Sequence, residues 1–475
     1  MHHAWTRGLV YSILATYAAT PLIADGPDHL KSVLIENVPH VTQKPDFCGE
    51  ACAEMFLKKL GHQISQDDIY NLSKLNPAEG RGCYTPELAR ALQAAGFDIG
   101  QVNYGVKASR AAKALTGLFE DMHADLAKGI PSIICMNTSS GRDSTEHFRL
   151  ILGYDQKTDE VVYHEPAENN GLYHRLDRKT FLNLWPLRYD KQKWTVIRMP
   201  LHAGRIQAPP SYPGFSPADY AQHVHSLKQM LKGRDFTIIV QPPFVVIGDE
   251  PADIVEQRSK MTVKWSVDKL KERYFKQDPD QLLNIWLFKD KVSYEKHARE
   301  IFNSRPDTPF GYYSRSDKAL VMNIATGGGT LVHEIVHPFV EANFPNCPSW
   351  FNEGLGSLYE QSHTRNNKIV GLTNWRLAGL QKAIKAERVP SFETLTSTTT
   401  HEFYNEDRGT NYAQARYLCY FLQEKELLEN FYHQFVKNQA EDPTGYETLK
   451  EVLNTTDMDS FQKKWEAWVL TLTFP

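Results

Sequence analysis

Apolar positions repeat with two different periods along this chain, and the change of period divides it into blocks. Between residues 27 and 200, Glu50–Leu60 and Thr85–Ala95 place apolar side chains at helical spacing. The runs Pro131–Met136, Phe148–Tyr154 and Val161–His164 are short, apolar and rich in β-branched residues, with turn formers between them, and predict strands. The stretch Ala208–Pro217 concentrates Pro, Gly and Ser and predicts a linker, taken as residues 201–234. Beyond it, Phe236–Val240 and Phe244–Gly248 predict a hairpin, and Asn284–Phe288 and Ala319–Ile324 predict further strands. After Gly329 the pattern is helical almost to the end. The implied domains are 27–200 and 235–475, in an α+β chain.

Composition narrows the class. A chain of 475 residues exceeds one ordinary core, and 41% hydrophobic with 23% charged residues is a globular balance. A formal net charge of −4 without a long Lys/Arg run argues against a nucleic-acid partner. Residues 1–25 carry Arg7, an apolar run and small residues near Ala18, Ala19 and Ala24, the pattern of a signal peptide, from which a secreted or periplasmic location is expected. The alternative is an N-terminal helix of a cytoplasmic protein. No other stretch is long and apolar enough for stable membrane insertion. Six cysteines are too few for a disulfide scaffold, although export would permit one or two bridges.

The segment Leu331–His337 contains His333-Glu334-Ile-Val-His337, an H-E-x-x-H pattern on an apolar helix. Positions i and i+4 share a helical face, so both imidazoles can reach one Zn2+ ion. Glu334 follows the first histidine and is placed to serve as general base toward water polarised by the metal. Glu353, 16 residues after His337 in Trp350-Phe-Asn-Glu-Gly-Leu355, supplies a third ligand and leaves one position open. Alone, the five-residue pattern is also compatible with a chance match on a core helix. The Gly327-Gly-Gly-Thr330 run lacks the Lys-Ser/Thr of a phosphate loop and predicts a flexible helix entry.

These residues resemble the gluzincins, the peptidase MA-like zinc metallopeptidases, over roughly residues 236–425. The resemblance implies a mostly helical zincin domain with an N-terminal β-sheet subdomain, and metal ligands His333, His337 and Glu353. It also implies that Tyr412 stabilises the oxyanion of the tetrahedral intermediate; the alternative is a packing aromatic. The strand Ala319–Ile324 is similar to the family's edge strand, which binds peptide through its backbone.

The first block carries a second constellation. Cys48 stands at the start of an amphipathic helix, where the helix dipole favours a thiolate. Gln43, five residues earlier, can complete an oxyanion hole. His147 heads one predicted strand, and Glu165 ends the next, where a carboxylate can orient an imidazole. With Gly49, Gly153-Tyr-Asp155, Pro166, Tyr173, Phe181 and Trp185, these residues resemble the papain-like C39-type cysteine peptidases, with Glu165 where that family usually has Asp. Alternatives are a buried thiol or a disulfide from Cys48 to Cys52 or Cys83. The expected function is hydrolysis of peptide or protein substrates at two sites. Its rivals are a peptide-binding protein with one inactive domain and acyl transfer of the transglutaminase type.

Overall fold

The computed structural model describes residues 30–141 and 143–474, so the expected signal segment 1–25 lies outside the described residues. The chain divides into two compact units. One comprises the residues up to Leu75 with Gly82–Pro210; the other comprises Asn76–Arg81 with Ser211–Pro475. Both mix helix and sheet, and the second becomes mostly helical after its sheet, so the α+β expectation holds. No helix among the described residues is long and apolar enough to cross a membrane.

The first unit is built on a seven-stranded antiparallel sheet. Its order is Asn103–Lys107, Lys193–Pro200, Ser132–Asn137, Glu146–Asp155, Glu160–His164, His174–Asp177, with Val33–Leu34 added to the Glu146–Asp155 strand. The central strands Ser132–Asn137 and Glu146–Asp155 are buried along most of their length, which is why they read as continuous apolar runs rather than alternating ones. The Cys48–Lys59 helix packs on the Glu146–Asp155 strand and buries Ala51, Cys52, Met55 and Phe56. Gly49 suits its crowded place, because a Cβ there would come 2.4 Å from the Leu88 side chain of the Thr85–Ala95 helix and 3.2 Å from that of Phe148, which would have to shift. The Thr85–Ala95 helix has the bounds expected of it.

The second unit opens with a five-stranded sheet in the order Thr237–Gln241, Phe244–Gly248, Leu283–Phe288, Ala319–Asn323, Gly311–Ser314. Side-chain alternation divides its core into two layers. Val245, Ile247, Trp286, Phe288 and Val321 face a cluster with Tyr220, Val224 and Leu227. Val246, Ile285, Leu287, Leu320 and Met322 face the opposite cluster with Leu331, Val332, Ile335 and Val336. That second face seats the Gly329–Asn343 helix, which carries both histidines.

Two expectations are revised. Residues 201–234, expected as a linker, contain the helix Pro217–Met230, whose capping box pairs Ser216 with Asp219 and whose buried face joins the second unit's core. Residues 204–216 are the longest stretch there without helix or strand. The strand Ala319–Asn323 is not an edge: it pairs in parallel with Leu283–Phe288 and antiparallel with Gly311–Ser314. The edge is the four-residue Gly311–Ser314 strand, too short and too mixed in character to stand out by period.

Candidate functional sites

The HEIVH helix is buried over Leu331–Val340, and the Ser349–Leu358 helix packs on it. Two glycines of the Ser349–Leu358 helix make close packing feasible, Gly356 against the HEIVH helix and Gly354 against the Arg408–Glu424 helix. A Cβ at Gly356 would come 3.3 Å from the His333 ring, and one at Gly354 would come 3.1 Å from the Ala415 carbonyl. Arg416, fully buried, donates from Nε to the Ser357 carbonyl (2.9 Å) and so satisfies the C-terminal end of the same helix.

This packing brings His333, His337 and Glu353 together, with ligand atoms all within 4.8 Å of one another. His333 Nε2 lies 3.1 Å from Glu353 Oε2, close to the ~3.3 Å edge of a tetrahedron with zinc–ligand bonds of the usual length. The outward nitrogens are held as well. His337 Nδ1 is 2.9 Å from Asn352 Oδ1, and His333 Nδ1 is 3.2 Å from Glu360 Oε1, at ion-pair distance though off the line of a straight hydrogen bond. Such contacts would orient the imidazoles with Nε2 toward a metal ion held between these side chains. Tyr404 donates from its hydroxyl to Glu353 Oε1 (2.5 Å).

The charge of the buried groups also suits a divalent cation. Glu334, Glu353 and Glu360 are all buried around the two histidines, and Arg376, bound to Glu360 at 2.8 Å, is the guanidinium that faces them. Three ionised carboxylates against one guanidinium leave two negative charges, which protons on the two imidazoles or a divalent cation would balance. Burial disfavours a charged His333, but Glu353 and Glu360 outweigh it and raise the imidazole well above its ordinary value. Burial opposes ionisation of Glu353 and Glu360, yet the imidazoles beside them, with Tyr404 and Arg376 respectively, hold both at about 2. Burial, reinforced by Glu353 and Glu360, raises Glu334, which brings a carboxylate nearer to base duty at neutral pH.

A cleft of about 630 Å³ opens over this cluster, and His333, Glu334 and Tyr412 line it. Two guanidinium groups lie near the Tyr412 ring, Arg376 at 5.1 Å and Arg408 at 5.5 Å from its centroid. Burial keeps its phenol protonated, hence a donor. The edge strand reaches the same cleft through Gly311.

In the first unit, the Glu146–Asp155 and Glu160–His164 strands align His147 with Glu165. His147 Nε2 is 2.5 Å from Glu165 Oε1, so Nε2–H donates and Nδ1 is left as the basic nitrogen. Arg149, two residues on and therefore on the same face, donates from Nε to Glu165 Oε2 (2.6 Å). The Ala167 amide adds a third bond to Oε1 (3.1 Å). Burial works against the Glu165 charge, but His147 and Arg149 overcome it and hold the carboxyl at about 2. The longer side chain of Glu is thus fixed at both oxygens. His164 has no free nitrogen: Nδ1 accepts from the Tyr173 amide (3.0 Å), so Nε2–H donates to the Val38 carbonyl (2.9 Å), and the ring is a neutral structural element.

The Cys48 thiol lies against the backbone of Phe148, the residue after His147. Burial, with a further push from Glu50, raises it to about 12. The Gln43 amide donates to the Pro166 carbonyl (2.9 Å), which sets Gln43 beside the Glu165–Pro166 turn. Buried Gln66 clamps both neighbours of Gln43, accepting from the Lys44 amide (2.7 Å) and donating to the Thr42 carbonyl (3.2 Å). Phe181 and Trp185 are fully buried, and Trp185 donates to the Ile197 carbonyl (3.0 Å). None of the six cysteines is in a disulfide.

Sequence reasoning missed Arg149, Gln66, Asn352, Glu360, Arg376 and Tyr404. Asn352 alone had a signal, its place beside Glu353 in the Asn-Glu-Gly element.

Residues 35–193 match the model of the Peptidase_C39 like family. The first unit is therefore a C39-like domain, while the match stops short of the HEIVH helix. No curated protein matches the chain.

Proposed function

We propose that the protein is a peptide-bond hydrolase with two independent sites, a zinc metallopeptidase site in the second unit and a Cys-His site in the C39-like domain. The observation that carries the first is the convergence of His333, His337 and Glu353 beneath a cleft that also exposes Glu334 and Tyr412. A zinc ion held by the three ligands would supply Lewis acidity toward a carbonyl and toward water. Glu334 takes the proton from the attacking water and passes it to the leaving amine. Tyr412 donates to the developing oxyanion. Asn352 and Glu360 hold the imidazoles in register, and Tyr404 does the same for Glu353. The Gly311–Ser314 edge offers unpaired backbone groups on which an extended peptide can lie.

In the C39-like domain, His147 Nδ1 takes the Cys48 proton, the thiolate attacks the carbonyl, and Glu165 with Arg149 holds the imidazole. The protonated His147 gives its proton to the leaving amine as the C–N bond breaks, and water then hydrolyses the thioester, releasing the acid and restoring the Cys48 thiol. A second reading of this domain has its own support. A buried thiol at about 12 is protonated at neutral pH unless substrate and His147 draw the proton away, which favours a domain that binds peptide without cutting it.

Inhibitors separate these readings. A chelator is expected to abolish one fraction of peptide hydrolysis and a thiol alkylator the other. If Cys48→Ala leaves total hydrolysis unchanged, the binding-only reading of the first domain stands. If neither reagent lowers hydrolysis, the two-site proposal fails.

A further inference from the structure

The cleft above the histidines holds one cation that no part of the ligand set uses. Arg376 is already spoken for: its Nε and Nη2 bind both oxygens of Glu360, at 3.2 and 2.8 Å. Arg408 lines the same cleft, is exposed, and pairs with no carboxylate of the described residues. It stands four residues before Tyr412 on the Arg408–Glu424 helix, so the two side chains share a face, and its guanidinium lies 5.5 Å from the Tyr412 ring centroid. Tyr412 in turn reaches toward Glu353. Arg408 also reaches the Tyr412 phenol, so a single residue links this exposed, carboxylate-free guanidinium to the ligand cluster. An extended peptide advances ~3.3 Å per residue, so a substrate group meeting Arg408 lies within one or two residues of the bond cut. The cleft wall nearby is apolar, with Trp375 53% and Phe310 49% exposed, so the solvent-facing cation is set in a surface built to hold a side chain.

We infer that Arg408 is a specificity residue that selects peptides carrying a carboxylate within two residues of the scissile bond. The carboxylate is either an Asp or Glu side chain or the chain terminus, since a guanidinium grips both through the same two-pronged hydrogen bonding. The inference rests on the metallopeptidase reading of this cleft, and its test is a binding measurement so that the two can fail separately.

The experiment uses the full-length zinc-supplemented Glu334→Gln variant, which binds without turnover, and three peptides read by calorimetry. The first is end-blocked Ala-Ala-Phe-Glu-Ala, the second its Gln counterpart, and the third the Gln peptide with a free C-terminal carboxylate. At least one carboxylate peptide is expected to bind on the order of 10- to 100-fold tighter than the blocked Gln peptide. Which of them gains tells a side chain from a terminus. Adding Arg408→Gln is expected to erase that gain while leaving the blocked Gln peptide within about twofold, and Arg408→Glu to reverse it. Arg408 is exposed at a helix start, so these variants are expected to fold, as circular dichroism would verify. Equal binding of all three peptides, or a gain that survives Arg408→Gln, overturns the inference. Chelator-sensitive hydrolysis of the Gln peptide by the Glu334 form is measured in parallel; its absence sinks the metallopeptidase reading whatever the binding shows.

Discussion

The two candidate sites treat buried carboxylates in opposite ways. In the C39-like domain one carboxylate, Glu165, is matched by two protein groups, His147 and Arg149, and its charge is settled within the fold. In the second unit Glu334, Glu353 and Glu360 surround two imidazoles and face one guanidinium, a set whose remaining negative charge either protons on the imidazoles or a divalent cation would offset. A site that is electrostatically complete can be fixed by folding alone. At a site with a surplus of buried negative charge a bound cation would add to stability, so folding and metal affinity would be linked.

The sharpest way to break this contrast is at the second site. Glu334→Gln removes the base while keeping all three ligands, and is expected to lower chelator-sensitive hydrolysis by about 10²- to 10⁴-fold with metal content unchanged. An active variant would remove Glu334 from the chemistry. At the first site, Arg149→Met leaves Glu165 held by His147 and one amide. Alkylator-sensitive kcat/KM is expected to fall by roughly 10- to 100-fold, with Arg149→Lys restoring part of it. Burial opposes the Glu165 charge and Arg149 helps His147 hold that carboxyl at about 2, so losing Arg149 raises it and moves the acid limb of the pH profile to higher pH. A uniform loss with an unmoved profile would reduce Arg149 to packing.

The smallest effect concerns stability. Glu50, fully buried next to Cys48's turn of helix, accepts from the Cys83 amide (2.7 Å), and burial raises its carboxyl to about 7. A raised carboxyl stabilises the fold fully below its ordinary value near 4.5, and that stability is lost as pH rises through about 7. Glu165, held at about 2, has the opposite sign: its contribution is present above the ordinary value and is lost as pH falls toward 2. Thermal melts from pH 5 to 8 therefore follow Glu50 and not Glu165. The parent is expected to lose a few kcal/mol across that range, and Glu50→Gln to flatten the loss. A parallel decline in both proteins would assign the slope elsewhere.

What could be read from the sequence follows the reach of each interaction. His333, Glu334 and His337 lie within one helical turn and a half, and local periodicity places them on one face. Glu353 is legible because the next helix repeats the apolar pattern. Tyr404 and Glu360 reach the site through tertiary packing, and their local sequence gives no period that aims them there. Arg149 was hidden for a related reason: a charged residue in a buried strand declares itself only once the strand beside it supplies Glu165. The hairpin and the interior strands were clear from their apolar runs, whereas the Gly311–Ser314 edge and the Pro217–Met230 helix were not. The latter follows a Pro-rich stretch whose composition masked a well-formed capping box.

The two-site proposal stands or falls on Glu353 completing, with His333 and His337, a catalytic zinc site in the second unit. Its most direct test is the metal content of the purified protein against a Glu353→Gln variant, by elemental analysis. About one zinc per chain in the parent and a loss of most of it in the variant is the predicted result. Zinc absent from the parent, or retained undiminished by the variant, would contradict it.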